Sequence, residues 1–371
     1  MVSNYSVEYG NKVLLPLTHQ TTLPPMGKNM TYRDYPEGMV ALAMNKYYLW
    51  VLCCLGLVFN TAAILTISKL KPFTTSSLYV ILLAIFDTLT LFVKLAYLQL
   101  TYHDVRLGDA GCKILCFIGS FLDQFSVWIL VLLTIERFVA VWLPLKVSSW
   151  FTMFRARLAV AITALALIFI NSHMLLLLHQ VELEEPYGVE CDFYPSHAYF
   201  GKSIWYWTES CLTAIFPCII LIVLNSLIVY RMRRSMEKQK KMLSGTESPR
   251  MVSHKTHLTV MLVTVSVSFV VLMLPLAMFN TFRSKWKVHS DRERAQYILT
   301  RELTHFLADC NHGLNFLFYF LSSKRFRHIF YRIVQCRCQE PRRTFYSGAS
   351  KMSYYKCNQS SMNTYCMQSN L

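Results

Sequence analysis

The chain has 371 residues, of which 54% are hydrophobic and only 16% are charged. A soluble domain would carry charge on roughly a quarter of its residues, so this composition argues against a soluble protein. The formal net charge is +16. Because the basic residues cluster in alternate loops between apolar segments, they indicate a membrane protein, and no nucleic-acid partner is expected.

Seven segments are apolar enough to cross a bilayer, which takes about 20 residues each. They cover residues 46–68, 77–100, 111–142, 158–179, 204–230, 258–282 and 298–321. Backbone groups inside lipid must be hydrogen-bonded within the segment, so each segment is predicted to be a helix. The sequence therefore predicts an all-α membrane protein, with one seven-helix domain at residues 46–322.

Ahead of the first segment, residues 1–45 are polar and lack the apolar core of a cleavable signal peptide. The loops after the first, third, fifth and seventh segments are basic, which predicts that they are cytoplasmic and that residues 1–45 form an extracellular tail. The basic loop between the sixth and seventh segments is an exception. Asn4 and Asn29 begin Asn-X-Ser/Thr sequons and are predicted glycosylation sites.

Two of the 12 cysteines stand apart from those inside the apolar segments. Cys112 opens the third segment, and Cys191 lies between the fourth and fifth. Both would face the oxidising exterior, where disulfides persist. A Cys112–Cys191 disulfide is predicted, and it would tether the loop over the mouth of the bundle.

After the seventh segment, residues 323–331 alternate basic and apolar side chains at helical spacing. This pattern predicts a short amphipathic helix on the membrane surface. Cys336 and Cys338 follow in a position suited to palmitoylation, so residues 323–338 are treated as one unit. Residues 339–371 are rich in Ser, Thr and Tyr, and a disordered cytoplasmic tail is predicted.

Short motifs follow one another along the segments. They include Gly56 with Asn60, Leu83-Ala84 with Asp87, Glu136-Arg137-Phe138 followed by Pro144-Leu145, Pro217, Pro275, and Asn315 with Tyr319. In the order and spacing of these motifs, residues 46–335 resemble the rhodopsin-like (class A) G-protein-coupled receptors. Residues 134–146 are similar to invertebrate neuropeptide receptors, such as those for FMRFamide-like peptides.

The chain departs from the family pattern at several positions. Met273 stands where the family has a tryptophan before the sixth-segment proline, and Phe316 stands where the seventh-segment motif has a proline. Asp309 occupies the position of the retinal lysine in opsins, so the chain is not expected to be an opsin. Gly119 occupies the position of the aspartate in amine receptors, so a monoamine ligand is not expected.

The resemblance implies a G-protein switch at the end of the third segment. Arg137 would be held by Glu136 at rest and would contact a heterotrimeric G protein once the bundle opens. The other residues of the predicted switch are Phe138, Phe269, Met273, Pro275, Asn315 and Tyr319. The alternative is that Arg137 only snorkels to the interface. Arrestin and a receptor kinase are further expected partners.

Asp87 is a carboxylate in the middle of a membrane segment, which needs polar partners. The resemblance implies that Ser126, Asn311 and Asn315, with Asn60, lie around it and could hold a sodium ion. The alternative is a hydrated polar network without an ion, and His312 falls close enough to disturb the site. No other cofactor is expected.

Several ionisable residues fall in the predicted outer halves of the segments, and such residues are functional candidates. The predicted ligand-binding residues are Lys94, Asp123, Gln124, Glu209, His305 and Asp309. An acidic pocket would favour a cationic ligand, such as the arginine of an amidated Arg-Phe peptide. The alternative is that Lys94 neutralises Asp123 or Asp309 and only fixes the packing.

The sequence as a whole predicts a non-enzymatic, multi-pass plasma-membrane receptor for a neuropeptide. No nucleophile–base motif, metal-ligand spacing or phosphate-binding loop points to an enzyme. A chemosensory or lipid-sensing receptor is the main alternative. A transporter that uses Lys94, Asp87 and Asp309 as an ion path is disfavoured, because the chain shows no internal repeat.

Overall fold

The computed structural model describes residues 31–70, 72–103, 105–182, 189–242, 250–282, 286 and 288–335. Long helices packed side by side make up most of this part of the chain. They are α1 (Pro36–Ser68), α2 (Thr75–Tyr102), α3 (Gly108–Trp142), α4 (Met153–Asn171), α5 (Phe216–Met242), α6 (Arg250–Phe282) and α7 (Asp291–Gly313), followed by α8 (Asn315–Ser322) and α9 (Lys324–Val334).

Six helical stretches of the described chain are long and apolar enough to cross a membrane, and they overlap α1 to α6. The seventh bundle helix, α7, is not apolar enough to be counted with these six, because it carries Arg301, Glu302 and Asp309. It still packs against α1 and α6. The predicted seven-helix bundle is therefore present, with one charged member.

Shorter elements connect the helices. A two-stranded antiparallel sheet joins β1 (Leu178–Glu182) to β2 (Val189–Phe193). Single helical turns lie at Val147–Trp150 and Met174–Leu177, and 3₁₀ turns at Tyr32–Asp34 and Pro195–His197. Ahead of α5, an α-helical turn at Tyr206–Ser210 lies between π-helical turns at Phe200–Trp205 and Cys211–Ile215.

A disulfide joins Cys112 at the start of α3 to Cys191 on β2, as predicted. It ties the hairpin to one end of the bundle, which we call the hairpin end. Arg137 lies 25 residues along α3 from Cys112, which is about 37 Å at 1.5 Å per residue. The opposite end of the bundle is called the arginine end.

Two predicted helix boundaries need correction. Helix α1 begins at Pro36, whereas the sequence placed the end of a polar tail at residue 45. Proline suits a first helical position because an N–H there would have no partner within the helix. The early turns of α1 also pack against α7, where Ala41 lies beside Ala295 and Ile298. Helix α4 ends at Asn171, and after the helical turn at Met174–Leu177 residues 178–182 pair with β2, so helical structure stops short of the predicted residue 179.

The predicted seventh segment is interrupted at Leu314, between α7 and α8. Asn60 on α1 donates a hydrogen bond of 3.0 Å to the His312 carbonyl just before the break. A Cβ added to the nearby Gly56 would lie at an ordinary contact distance of 3.5 Å from Gly313 Cα but only 2.6 Å from Leu91 Cδ1 on α2. Glycine at residue 56 therefore leaves room for the Leu91 side chain.

Helix α9 is the short amphipathic helix that the sequence predicted. The Ser323 hydroxyl accepts from the Phe326 N–H and caps its start. Phe326 is buried against Phe316 and Tyr319, while basic residues occupy the opposite side. The predicted modification sites Asn4, Asn29, Cys336 and Cys338, and the tail at 339–371, lie outside the described residues.

Candidate functional site

A cavity of about 70 Å³ lies in the half of the bundle nearer the hairpin. At roughly 15 Å³ per water it has room for a few water molecules or one polar side-chain group. Helices α2, α3, α6 and α7 and the turns before α5 surround it. Its polar lining consists of Lys94, Asp123, Tyr206, Glu209, Ser210, Thr213, Asn280, His305, Asp309 and His312.

Lys94 lies between two carboxylates of the cavity wall. Its Nζ is 2.8 Å from Asp123 Oδ1 and 2.6 Å from Asp309 Oδ1. The Tyr48 hydroxyl donates to Asp309 Oδ2 at 3.0 Å. The sequence left open whether Lys94 pairs with one acid or the other, and the structure pairs it with both. These contacts join α1, α2, α3 and α7 around one buried ammonium group.

His312 connects this cluster to Asp87 in the middle of the bundle. Its Nε2 is 3.2 Å from Asp123 Oδ1, and its Nδ1 is 2.8 Å from Asp87 Oδ1. One ring nitrogen lies within hydrogen-bonding distance of each carboxylate, so the imidazole bridges Asp87 and Asp123. The Lys94 cluster and Asp87 therefore belong to one continuous chain of polar contacts.

Both oxygens of Asp87 accept hydrogen bonds from the protein. The Ser126 hydroxyl and His312 Nδ1 contact Oδ1, and Asn315 Nδ2 donates to Oδ2 at 2.7 Å. The side chain is almost fully buried. Of the predicted partners, Ser126 and Asn315 are thus in direct contact with the carboxylate.

The remaining two predicted partners of Asp87 form other hydrogen bonds. Asn311 donates to the Ala308 carbonyl of its own helix, and Asn60 donates to Thr88 and to the His312 carbonyl. The space beside Asp87 measures about 10 Å³, which is at the lower limit for a single water. A hard cation needs several oxygen ligands, whereas His312 and Asn315 face Asp87 with nitrogen atoms, so this arrangement does not fit a sodium ion.

Glu209 and His305, which the sequence predicted as ligand-binding residues, also line the cavity. Ser120 Oγ lies 3.5 Å from Glu209 Oε1, and the Tyr206 hydroxyl donates to the Asn280 carbonyl at 2.9 Å on the same wall. The lining therefore contains three carboxylates and one lysine, together with His305 and His312.

Gln124 is not among the residues that line the cavity, so its predicted role in ligand binding gains no support from this site. It is completely buried, and its Oε1 accepts a hydrogen bond of 2.8 Å from Asn171 Nδ2 on α4. Neighbouring residues on a helix point about 100° apart. Asp123 faces the cavity, and the next residue accordingly faces α4.

At the arginine end, Glu136 is held by three donors. Its Oε1 accepts from Thr75 Oγ1 at 2.6 Å, from Ser76 Oγ at 2.7 Å and from Arg137 Nη2 at 3.2 Å. Thr75 and Ser76 are the first residues of α2, where the helix dipole also favours a negative charge. The Glu136–Arg137 pair is therefore anchored to α2 in this structure.

The other predicted switch residues lie between the two ends. Met273 lines the cavity, and Phe269, one turn earlier on α6, lines the space beside Asp87. Pro275 lies inside α6, Tyr319 is buried on α8, and the Phe138 ring lies 5.8 Å from that of Trp142. Asn315 donates to Asp87, as described above. Their roles in switching remain predictions.

Sequence reasoning missed several polar contacts of the bundle. Arg301 forms a buried ion pair of 2.8 Å with Glu302, which also accepts from Asn45. An arginine within a predicted membrane segment is itself a signal that could have identified this pair. Thr75 and Ser76 gave no comparable signal, because hydroxyl residues at helix starts commonly serve as caps.

Comparison with known proteins agrees with the family resemblance seen in the sequence. The model of the family described as "7 transmembrane receptor (rhodopsin family)" matches residues 59–319. The chain is 24% identical to the sex peptide receptor of Drosophila melanogaster over 79% of this chain and 73% of the relative. It is 24% identical to human neurotensin receptor type 1, over 78% and 75% of the two chains. It is 25% identical to mouse neuropeptide FF receptor 2, over 84% and 77%.

Proposed function

Because this chain belongs to the rhodopsin family of seven-transmembrane receptors, we propose that it is a receptor for a neuropeptide that presents a cationic group. Members of this family are G-protein-coupled signalling receptors and not enzymes, and the membrane-spanning helices make this chain a multi-pass plasma-membrane protein. The hairpin end would face outward, since its disulfide belongs in an oxidising environment and the loops at the arginine end are basic.

The charge of the cavity is the observation that carries this proposal. Asp123, Asp309 and Glu209 line this space together with one lysine, Lys94. The excess of negative charge favours a cationic group, and a guanidinium can bond a carboxylate through two parallel N–H groups. At about 70 Å³ the cavity would admit that one group, so the rest of a peptide would lie at its mouth.

The relatives support a peptide ligand. Three of them are named as receptors for sex peptide, neurotensin and neuropeptide FF. A lipid-sensing or chemosensory receptor is the second candidate. A lipid would gain little from Glu209 and Asp309, so the effect of neutralising these residues separates the two ligand classes.

Signalling would pass from the cavity to the arginine end. A ligand shifts the equilibrium between two receptor states only by its differential affinity for them. Pro275 interrupts the hydrogen bonding of α6 and permits that helix to bend. In the signalling state Arg137 would leave Glu136 and contact the G protein.

The test is calcium signalling in cells that express the receptor with a promiscuous G protein and are challenged with a neuropeptide library. We expect a nanomolar response to an arginine-containing peptide. Glu209→Gln should lower its potency about tenfold, equivalent to about 1.4 kcal/mol. Asp291→Asn, which removes an exposed carboxylate from the start of α7, is the matched control.

Replacing the ligand arginine with neutral citrulline then tests the pairing directly. Citrulline should weaken the response of the wild-type receptor and have a much smaller effect on the Glu209→Gln receptor, because the pair is already broken. The cationic-peptide proposal is refuted if citrulline, Glu209→Gln and Asp309→Asn all leave potency unchanged. Silence across the library with receptor at the cell surface favours a non-peptide ligand.

A further inference from the structure

The His312 side chain occupies the space between Asp87 and Asp123. Its two ring nitrogens contact one carboxylate each, at 2.8 Å and 3.2 Å, and the side chain is 3% exposed. It is attached to α7 two residues before the break at Leu314. An imidazole ring is therefore fixed by covalent attachment beside the central carboxylate of the bundle.

Without the His312 ring, the oxygen atoms around Asp87 would be suited to bind a cation. Ser126 and Asn315 contact the carboxylate, and Asn311 lines the same small space. The imidazole stands in the way of an ion, because its Nδ1 lies 2.8 Å from Asp87 Oδ1, where a cation bound to that oxygen would lie. An unhydrated sodium ion would also meet the N–H of His312 in place of an oxygen lone pair.

We propose that the imidazole of His312 takes the place of a bound monovalent cation beside Asp87, so that the receptor does not respond to sodium. The same ring bonds Asp123 in the wall of the ligand cavity, whereas a free ion could dissociate independently of that wall. This proposal does not rest on the nature of the ligand, because Asp87, His312 and the space between them are defined without one.

A direct consequence concerns shorter side chains at residue 312. His312→Ser removes the ring and leaves the oxygens of Asp87, Ser126, Asn311 and Asn315 around a larger space. That set contains a carboxylate, hydroxyls and amide carbonyls, which are the ligands that a hard cation prefers. The variant is expected to acquire the sodium site that the wild-type chain lacks.

The experiment measures the thermal unfolding of the purified full-length receptor in lipid nanodiscs. Sodium chloride is titrated to 150 mM against choline chloride at constant ionic strength, so that only the identity of the cation changes. The wild-type melting temperature should not depend on sodium. The melting temperature of His312→Ser should rise saturably, by about 2 to 4 °C, because binding to the folded state stabilises it.

Two further variants make the result specific. His312→Ala provides a second small side chain in case the serine variant folds poorly. His312→Ser combined with Asp87→Asn removes the central carboxylate and should abolish the sodium-dependent rise. The proposal is overturned if the wild type shows a saturable sodium shift that Asp87→Asn removes. It is equally overturned if the folded His312→Ser and His312→Ala receptors show no sodium shift.

Discussion

Replacing Lys94 with methionine is expected to destabilise the receptor strongly. Methionine approximates the length of the side chain but leaves Asp123 and Asp309 without the ammonium group that lies 2.8 and 2.6 Å from them. The side chains of these two acids are only 18% and 5% exposed. Removing one partner from a buried ion pair costs about 3 to 5 kcal/mol, because the charge left behind is uncompensated.

Asp309→Asn should cost less than Lys94→Met. The asparagine can keep the hydrogen bond from Tyr48, and Lys94 keeps its contact with Asp123. Loss of one charge-assisted hydrogen bond corresponds to about 1.5 to 3 kcal/mol. The double variant Lys94→Met/Asp309→Asn should be more stable than the sum of the two changes predicts, because it buries one uncompensated carboxylate fewer.

The measurement is the melting temperature of purified receptor in nanodiscs. At about 2 to 4 °C per kcal/mol, Lys94→Met should lower it by about 6 to 20 °C. Lys69→Met, which removes an exposed lysine at the end of α1, is the control for loss of one positive charge. If Lys94→Met melts within 2 °C of that control, roughly the effect of a surface change, the electrostatic reasoning about the cluster is refuted.

Two further predictions concern contacts away from the cavity. Thr75→Ala combined with Ser76→Ala removes two of the three donors to Glu136 and should raise ligand-independent G-protein signalling several-fold; unchanged basal signalling at equal surface expression would contradict this. Gln124→Leu leaves the Asn171 amide without its partner and should lower stability by about 1 to 3 kcal/mol while ligand potency stays unchanged. A selective loss of potency would return Gln124 to the binding site.

The number and order of the bundle helices followed from hydropathy, but their ends did not. The first helix starts at Pro36 because its early turns pack against α7. The fourth ends at Asn171, and after one further helical turn the chain enters a strand at Leu178. Both ends of helical structure adjoin contacts with another element, and hydropathy records only how well a segment tolerates lipid. The break at Leu314 likewise adjoins a contact from Asn60.

The residues of the candidate site were predictable because ionisable residues inside apolar membrane segments are easily recognised in the sequence. Lys94, Asp123, Glu209, His305 and Asp309 all line the cavity. Their pairing was not predictable, because each acid has several cations within possible reach until the helices are rotated and packed.

The sequence by itself determined a membrane protein of seven helices with a disulfide at one end and an acid–arginine pair at the other. Lipid forces apolar segments into helices and makes every buried charge stand out. Only the tertiary structure decided that Lys94 bridges two acids, that Gln124 faces α4 and that His312 fills the space beside Asp87. These contacts depend on how each helix is rotated about its axis and on shifts of a few tenths of an ångström between side chains. The packing of side chains between the helices decides both.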